Sequence, residues 1–420
     1  MRKNKVKRDE MQRGGAVNSM NQTPVSERVH ITFFGRRNAG KSSLMNAFTG
    51  QEISIVSPVM GTTTDVVYKT MELPPLGPVV LVDTPGLDDT GTLGGQRIAR
   101  AKEAMRKTDI AIVVTDAVLP PDEIEKDMLA EFDKKKIPCL LVFNKADLLK
   151  EIPAEDEKTL LVSAKTGFHI RELKERVAAM LPEETKERPL IADLIAKKDT
   201  VVLVVPIDAG APKGRLILPQ QQVIRDVLEA GACGLVCRHT ELEETLEKLK
   251  TPPALVITDS QVFDQVEKIV PDFVPLTSFS ILMARYKGDL PLLTEGAAAI
   301  EKLRGGDKVL ICEGCTHHRQ CGDIGTVKLP NLIRRYTKAE PSFSFTSGTE
   351  FPTDVSSYKM VVHCGGCMLN RKEMQYRLMC CREAGVPVTN YGVLIACING
   401  ILERTLEIFK NGQKTDVKLD

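Results

Sequence analysis

Gly35-Arg36-Arg37-Asn38-Ala39-Gly40-Lys41-Ser42 has the form G-x-x-x-x-G-K-S. It follows the apolar run Val29–Phe34 and opens a helical stretch at Lys41, the strand–loop–helix setting that gives the pattern its physical meaning. Glycine lets the backbone curl so that successive N–H groups face an anion, and the helix N-terminus adds partial positive charge. Such a loop commits the chain to strands alternating with helices. The apolar runs Val79–Val82, Ile110–Val114, Leu140–Phe143 and Leu160–Val162 supply the strands; Arg97–Arg106, Asp122–Lys135 and Arg171–Met180 supply helices. The expected fold class is α/β, with a parallel sheet covered on both faces.

The loop has companions in a fixed order. Ala39, Gly40, Lys41 and Ser43 form the phosphate cradle, with Lys41 reaching the β- and γ-phosphates and the Ser42 hydroxyl coordinating Mg2+. Asp83-Thr84-Pro85-Gly86 ends the next central strand; Asp83 can hold the Mg2+ shell and the Gly86 amide can touch the γ-phosphate. Asn144-Lys145-Ala146-Asp147 ends a later strand, and the Asp147 carboxylate can accept from guanine N1–H and N2 amino together. Adenine lacks that donor pair, so the nucleotide is GTP. Ser163-Ala164-Lys165 completes the base pocket.

This ordered set resembles the Era- and MnmE-like branch of the translation-factor-related GTPases. The resemblance implies that Asn38 helps bind a K+ ion, which would offset transition-state charge as an arginine finger does. It also implies that Gly61-Thr62-Thr63-Thr64-Asp65 is a switch segment with Thr63 as its Mg2+-binding threonine, although Thr62 and Thr64 leave the register open. Leu87 stands where a water-orienting glutamine would follow the Asp-Thr-Pro-Gly run, so hydrolysis is expected to be slow.

A chain of 420 residues exceeds one compact core, and three domains are expected. Residues 1–24 read as a disordered tail, 25–182 as the GTP-binding domain, 187–265 as a small α/β domain, and 266–420 as a second α/β domain with a parallel sheet. Within the third block, Lys308–Cys312 and Lys359–His363 read as strands, Lys372–Ala384 as a helix, Pro387–Tyr391 as extended, and Val393–Lys410 as mostly helical. The Lys213-Gly214-Arg215 turn reads as a solvated loop.

That third block carries Cys312-Glu313-Gly314-Cys315-Thr316-His317-His318 and His363-Cys364-Gly365-Gly366-Cys367. Each group follows an apolar run of strand length, and ligands gather beyond the carboxyl ends of parallel strands, so the two groups can face one another. The 46 residues between His317 and Cys364 are too many for a finger or ribbon zinc site. Soft thiolates suit an iron–sulfur cluster as well as zinc. Cys139, Cys233, Cys237, Cys380, Cys381 and Cys397 read as small buried hydrophobes, while Cys312 and Cys321 are accessory thiols at most.

Cys-x-His followed at a distance by His-Cys-x-x-Cys, behind a GTPase domain, resembles the FeFe-hydrogenase maturation GTPases over nearly the whole chain. The resemblance implies that Cys315, Cys364 and Cys367 ligate a 4Fe–4S cluster, with His317 and His363 as flanking donors or occupants of the remaining iron. It makes residues 187–265 a dimerisation domain and the protein a homodimer. It further implies a carrier that takes a di-iron precursor from two radical-SAM maturases and delivers it to the FeFe-hydrogenase catalytic subunit.

A rival reading is a regulatory GTPase acting on RNA or ribosomes with a structural zinc module. Against it, Lys plus Arg number 57 and Asp plus Glu 56, and the C-terminal blocks show no basic face interleaved with aromatics, so no nucleic-acid partner is expected. A redox enzyme is a weaker alternative, because no radical-SAM C-x-x-x-C-x-x-C or flavin pattern occurs. No apolar run approaches bilayer length, and the polar, basic N-terminus lacks an apolar h-region, so a cytoplasmic protein with no membrane partner is expected. A reducing compartment fits eleven cysteines held as thiols or ligands.

Overall fold

The computed structural model describes residues 23–50, 66–86, 100–119, 121–149, 151, 156, 158–181, 189–207, 216–314, 323–348, 350–352 and 354–411. The expected switch segment 61–65 with Thr63, residue Leu87, the turn Lys213–Arg215, and Cys315, His317, His318 and Cys321 lie outside them.

The first sheet contains β1 (Val29–Phe34), β2 (Val67–Leu73), β3 (Gly77–Asp83), β4 (Ile110–Asp116), β5 (Cys139–Asn144) and β6 (Thr159–Leu161). Their order is β2-β3-β1-β4-β5-β6, parallel except for β2 against β3. The central strands β1 and β4 are buried along nearly their whole length because helices cover both sheet faces, and the few polar residues they carry, His30, Thr32 and Thr115 among them, are buried too. One face packs on the helices Lys41–Thr49 and Ile170–Ala179, the other on helical residues 100–106 and Glu123–Lys134. The half-buried strand β2 escapes an apolar-run search; its signature is the alternation Val67-Tyr68-Lys69-Thr70-Met71-Glu72-Leu73.

The second sheet holds β7 (Thr200–Val204), β8 (Cys233–Cys237), β9 (Leu255–Thr258) and β10 (Leu276–Ser278), ordered β10-β9-β7-β8 and parallel. The third holds β11 (Lys308–Glu313), β12 (Ser342–Ser347), β13 (Met360–His363) and β14 (Val388–Asn390), ordered β12-β11-β13-β14 and also parallel. The second sheet therefore runs past residue 265, taking its edge strand from β10. The two sheets also share one hydrophobic core. Val202, Val204 and Val256 of the second, Ile311 and Val362 of the third, and Leu394 of the helix Tyr391–Ile398 belong to the same buried cluster. β12 has the polar pattern Ser-Phe-Ser-Phe-Thr-Ser, which hides it from an apolar-run search. Cys233 is exposed rather than buried, because β8 is an edge strand. Among the described residues no helix is long and apolar enough to cross a membrane.

Candidate nucleotide and thiol sites

The phosphate loop leaves β1 through Gly35, whose φ is 137° and whose absent Cβ would meet the Val114 carbonyl oxygen at 2.1 Å. Gly40 sits at φ 89°, where a Cβ would lie 2.3 Å from Asn144 Nδ2. Both positions need glycine for conformation and for space. Lys41 is buried, and its Nζ donates to the carbonyls of Gly35 (3.0 Å) and Arg36 (2.7 Å), holding the loop in a ring. Ser42 Oγ donates to Asp83 Oδ2 at 2.5 Å, while the buried Asp83 Oδ1 has no hydrogen-bond partner. Burial pushes the Asp83 carboxyl up, opposed by the Ser42 hydrogen bond and the charges of Lys41 and Lys69. A hard dication beside Ser42 would satisfy the free oxygen and reverse that desolvation, so this donor set fits Mg2+. Asn38 is exposed on the loop crest at φ 61°.

The base side is knitted to the phosphate side. Asn144 Nδ2 donates to Ala39 O (3.0 Å), and Asn144 Oδ1 accepts from Ala164 N (3.0 Å). Ser163 Oγ donates to Asp147 Oδ1 at 2.6 Å and accepts from Thr166 N at 3.2 Å. Lys165 Nζ lies 4.0 Å from Asp147 Oδ2, and Lys145 Nζ donates to Asp116 Oδ2 at 2.6 Å. An absent Cβ at Gly86 would lie 2.8 Å from the Arg37 backbone, so Gly86 lies directly against the phosphate loop. Arg36 anchors that loop to buried Glu125 (Nε to Oε1, 3.1 Å), a residue that sequence reasoning did not single out.

The thiol site forms where β11 and β13 lie side by side, with Cys312 in register with His363. Cys364 Sγ accepts from Gly314 N at 3.0 Å and from Gly366 N at 3.3 Å. The residue before Cys315 thus bonds to the sulfur of Cys364. Gly366 adopts φ 63°, the left-handed conformation that favours glycine. Burial, with Cys367 close by, pushes the Cys364 thiol up to about 11, against the lowering effect of the Gly314 and Gly366 amides. Two half-buried thiols, Cys364 and Cys367, the first already in a backbone N–H cradle, suit a soft, thiolate-bound metal group. No cluster of three metal-ligating side chains occurs among the described residues, and Cys315 and His317 are not among them.

Of the two expected roles of His363, flanking donor or ligand to the remaining iron, its hydrogen bonds fit the flanking donor. Its Nε2 bonds to Arg377 Nη1 (2.9 Å) and its Nδ1 to Cys364 O (2.9 Å), so neither nitrogen faces a metal. Burial and the Arg377 guanidinium hold it at about 3, neutral, which makes Nδ1–H the donor. Cys312 packs in a hydrophobic core, and Cys381 packs in the same core.

The loop Cys364–Asn370 is tied to the GTPase domain. Ser26 Oγ donates to Cys367 O (2.8 Å), and Asn370 Nδ2 donates to Lys107 O (2.7 Å), just past helical residues 100–106. Buried Lys287 donates to Cys367 O (3.1 Å) and Leu369 O (2.7 Å) and pairs with Glu27 at 2.7 Å. None of Ser26, Glu27, Lys107, Lys287 and Asn370 carries a local sequence signal for these contacts; only the fold places them.

Three family models match the chain. Residues 30–145 match the 50S ribosome-binding GTPase, residues 190–288 the hydrogen maturase F dimerization domain, and residues 291–408 the hydrogen maturase F tetramerization domain. The chain belongs to the HydF family of hydrogenase maturation GTPases. The last two models make both C-terminal regions of this HydF-family protein oligomerising domains. Curated relatives match its GTPase part. The tRNA modification GTPase MnmE of Bordetella petrii is 37% identical over 155 residues, 37% of this chain and 34% of that protein. MnmE of Legionella pneumophila is 33% identical over 170 residues, 40% of this chain and 37% of that protein. The chain thus spans about a third of the length of these relatives. A solved structure of Aquifex aeolicus Era bound to GDP and aluminium fluoride aligns with TM-score 0.33 and 19% identity, over 52% of this chain and 97% of that one.

Proposed function

We propose that this protein is a maturation scaffold: it holds a 4Fe–4S cluster at Cys315, Cys364 and Cys367, carries a di-iron precursor on it, and delivers that precursor to apo-hydrogenase. The observation that carries the reading is the sulfur of Cys364, seated between the Gly314 and Gly366 amides where two parallel strands end together. Amide donors to cluster sulfur are what a resident cluster needs from the backbone. Bound there, the cluster supplies an iron with an exchangeable coordination position. The chain's own part is to hold the thiolates, exclude water and present the loop to partners. Those partners are two radical-SAM maturases and the hydrogenase catalytic subunit, with a homodimer as the working unit.

In the GTPase domain, Lys41 and the loop amides bind the β- and γ-phosphates. Ser42, Asp83 and Thr63 would hold Mg2+, which neutralises charge as the γ-phosphoryl group leaves. Gly86 senses the γ-phosphate, Asp147 reads guanine, and Ser163, Ala164 and Lys165 wall the base. The bonds from Lys107 O and Ser26 to the Cys364–Asn370 loop support nucleotide-dependent control of partner exchange. Asn38 is the proposed K+ ligand. Exchanging NaCl for KCl raises GTP hydrolysis by about tenfold, the effect of roughly 1.4 kcal/mol at the transition state; an unchanged rate removes Asn38 from that role.

The cluster reading is tested by anaerobic reconstitution with iron and sulfide. The wild type turns brown and binds iron, and Cys364→Ser and Cys367→Ser each lose most of it. A colourless protein holding only zinc would favour the rival regulatory GTPase. Delivery is tested by activating apo-hydrogenase with and without the protein.

A further inference from the structure

The helix Tyr391–Ile398 starts at the mouth of the thiol site. Asn390 caps it, its Oδ1 accepting from Gly392 N (2.8 Å), Val393 N (3.1 Å) and Ser280 Oγ (3.1 Å). Asn390 also stands in register beside His363 on β13. These bonds fix the Tyr391 backbone next to the strand that delivers Cys364. The Tyr391 ring is buried in the core shared by the second and third sheets, against which Cys364 also packs. Its hydroxyl is buried and has no hydrogen-bond partner.

The direction of that hydroxyl can be read from Gly325. A Cβ built there would lie 2.5 Å from the Tyr391 oxygen and 2.4 Å from Glu313 Oε1, so both oxygens converge on one point of backbone. Glu313 is itself buried and ends β11, one residue before the Gly314 amide that donates to Cys364 Sγ. Tyr391 and Cys364 thus pack on one core, and the Tyr391 hydroxyl emerges beside Glu313, the neighbour of the Gly314 amide that bonds Cys364 Sγ. A phenol O–H kept dry without an acceptor is unfavourable, and native folds retain such groups where something else accepts the proton.

We infer that Tyr391 donates its hydroxyl proton to sulfur of the cluster held at Cys364, as a positioning residue that also sets the reduction potential. The inference rests on the cluster reading above. Donors to cluster sulfur stabilise the more negative, reduced form and so raise the potential. Tyr391→Phe keeps the ring in the core and removes only the donor.

The experiment compares full-length wild type, Tyr391→Phe and Glu313→Gln after anaerobic reconstitution. It reads iron per chain, an EPR-monitored redox titration, and exchangeable-proton couplings in H2O against D2O. Tyr391→Phe is expected to keep its iron and its GTP hydrolysis. Its oxidised-to-reduced ratio at fixed poise should rise about fivefold, the change that one net hydrogen bond brings, and one exchangeable coupling should vanish. Glu313→Gln should retain that coupling. An unchanged potential with unchanged couplings overturns the inference while the cluster stands. So does a coupling lost in Glu313→Gln but kept in Tyr391→Phe, or loss of iron from Tyr391→Phe with GTP hydrolysis intact. Wild type that takes up no iron removes the cluster reading itself and this inference with it.

Discussion

Lys41→Ala is expected to lower kcat for GTP hydrolysis by about 10^3-fold, at the upper end of what one charge-stabilising donor supplies at a transition state. The amine is buried in the ring of the phosphate loop, bonded to Gly35 O and Arg36 O, so the enzyme loses a positioned charge rather than a solvated one. Iron content after reconstitution is expected to stay at the wild-type level. The bonds joining the GTPase domain to the thiol loop come from Ser26, Glu27 and Lys107, and none involves Lys41. Single-turnover hydrolysis and an iron assay on the same preparation test both halves. Loss of iron together with turnover would show that the loop and the thiol site form one cooperative unit.

Methionine at Arg377 destabilises the fold by about 3–5 kcal/mol, because it leaves a buried carboxylate without its partner. Arg377 and Glu373 are each 1% exposed. Arg377 Nε donates to Glu373 Oε1 (2.9 Å), Nη2 donates to Gly348 O (2.8 Å), and the guanidinium stands over the Phe351 ring at 5.2 Å. The same guanidinium orients His363 and, through it, the carbonyl of Cys364. Urea unfolding is expected to show a lower midpoint with an unchanged slope, and reconstituted iron to fall. Adding Glu373→Met should restore most of the stability, since no lone charge then remains inside. A single variant as stable as wild type would mean that the Arg377–Glu373 pair adds no net stability to the fold.

The nucleotide site was legible because its residues are contiguous. Gly35–Ser42, Asp83–Gly86, Asn144–Asp147 and Ser163–Lys165 each follow a strand, and each acts largely through the backbone that follows it. Local order in the chain therefore becomes local geometry in the site. The Cys364-x-x-Cys367 pair was legible for the same reason. The helix start at Tyr391 was less so: Pro387–Tyr391 reads as extended, but the Asn390 side chain caps a helix at Tyr391 itself.

The partner of His363 was not legible, because in a strand successive side chains point to opposite faces and its ring turns away from its thiol neighbour. Its ring turns to Arg377, and nothing near it in sequence announces that partner.

By itself the sequence determined an α/β chain with a guanine-nucleotide cradle and a distant set of thiols, since short motifs encode local backbone and local chemistry. Tertiary structure alone decided that the second and third sheets share one core. It also brought Lys107 and Ser26 against the thiol loop, and left Tyr391 with a buried hydroxyl and no acceptor. Those are contacts between residues tens to hundreds of positions apart. They arise from burying apolar faces together, a collective outcome that no short stretch of chain records.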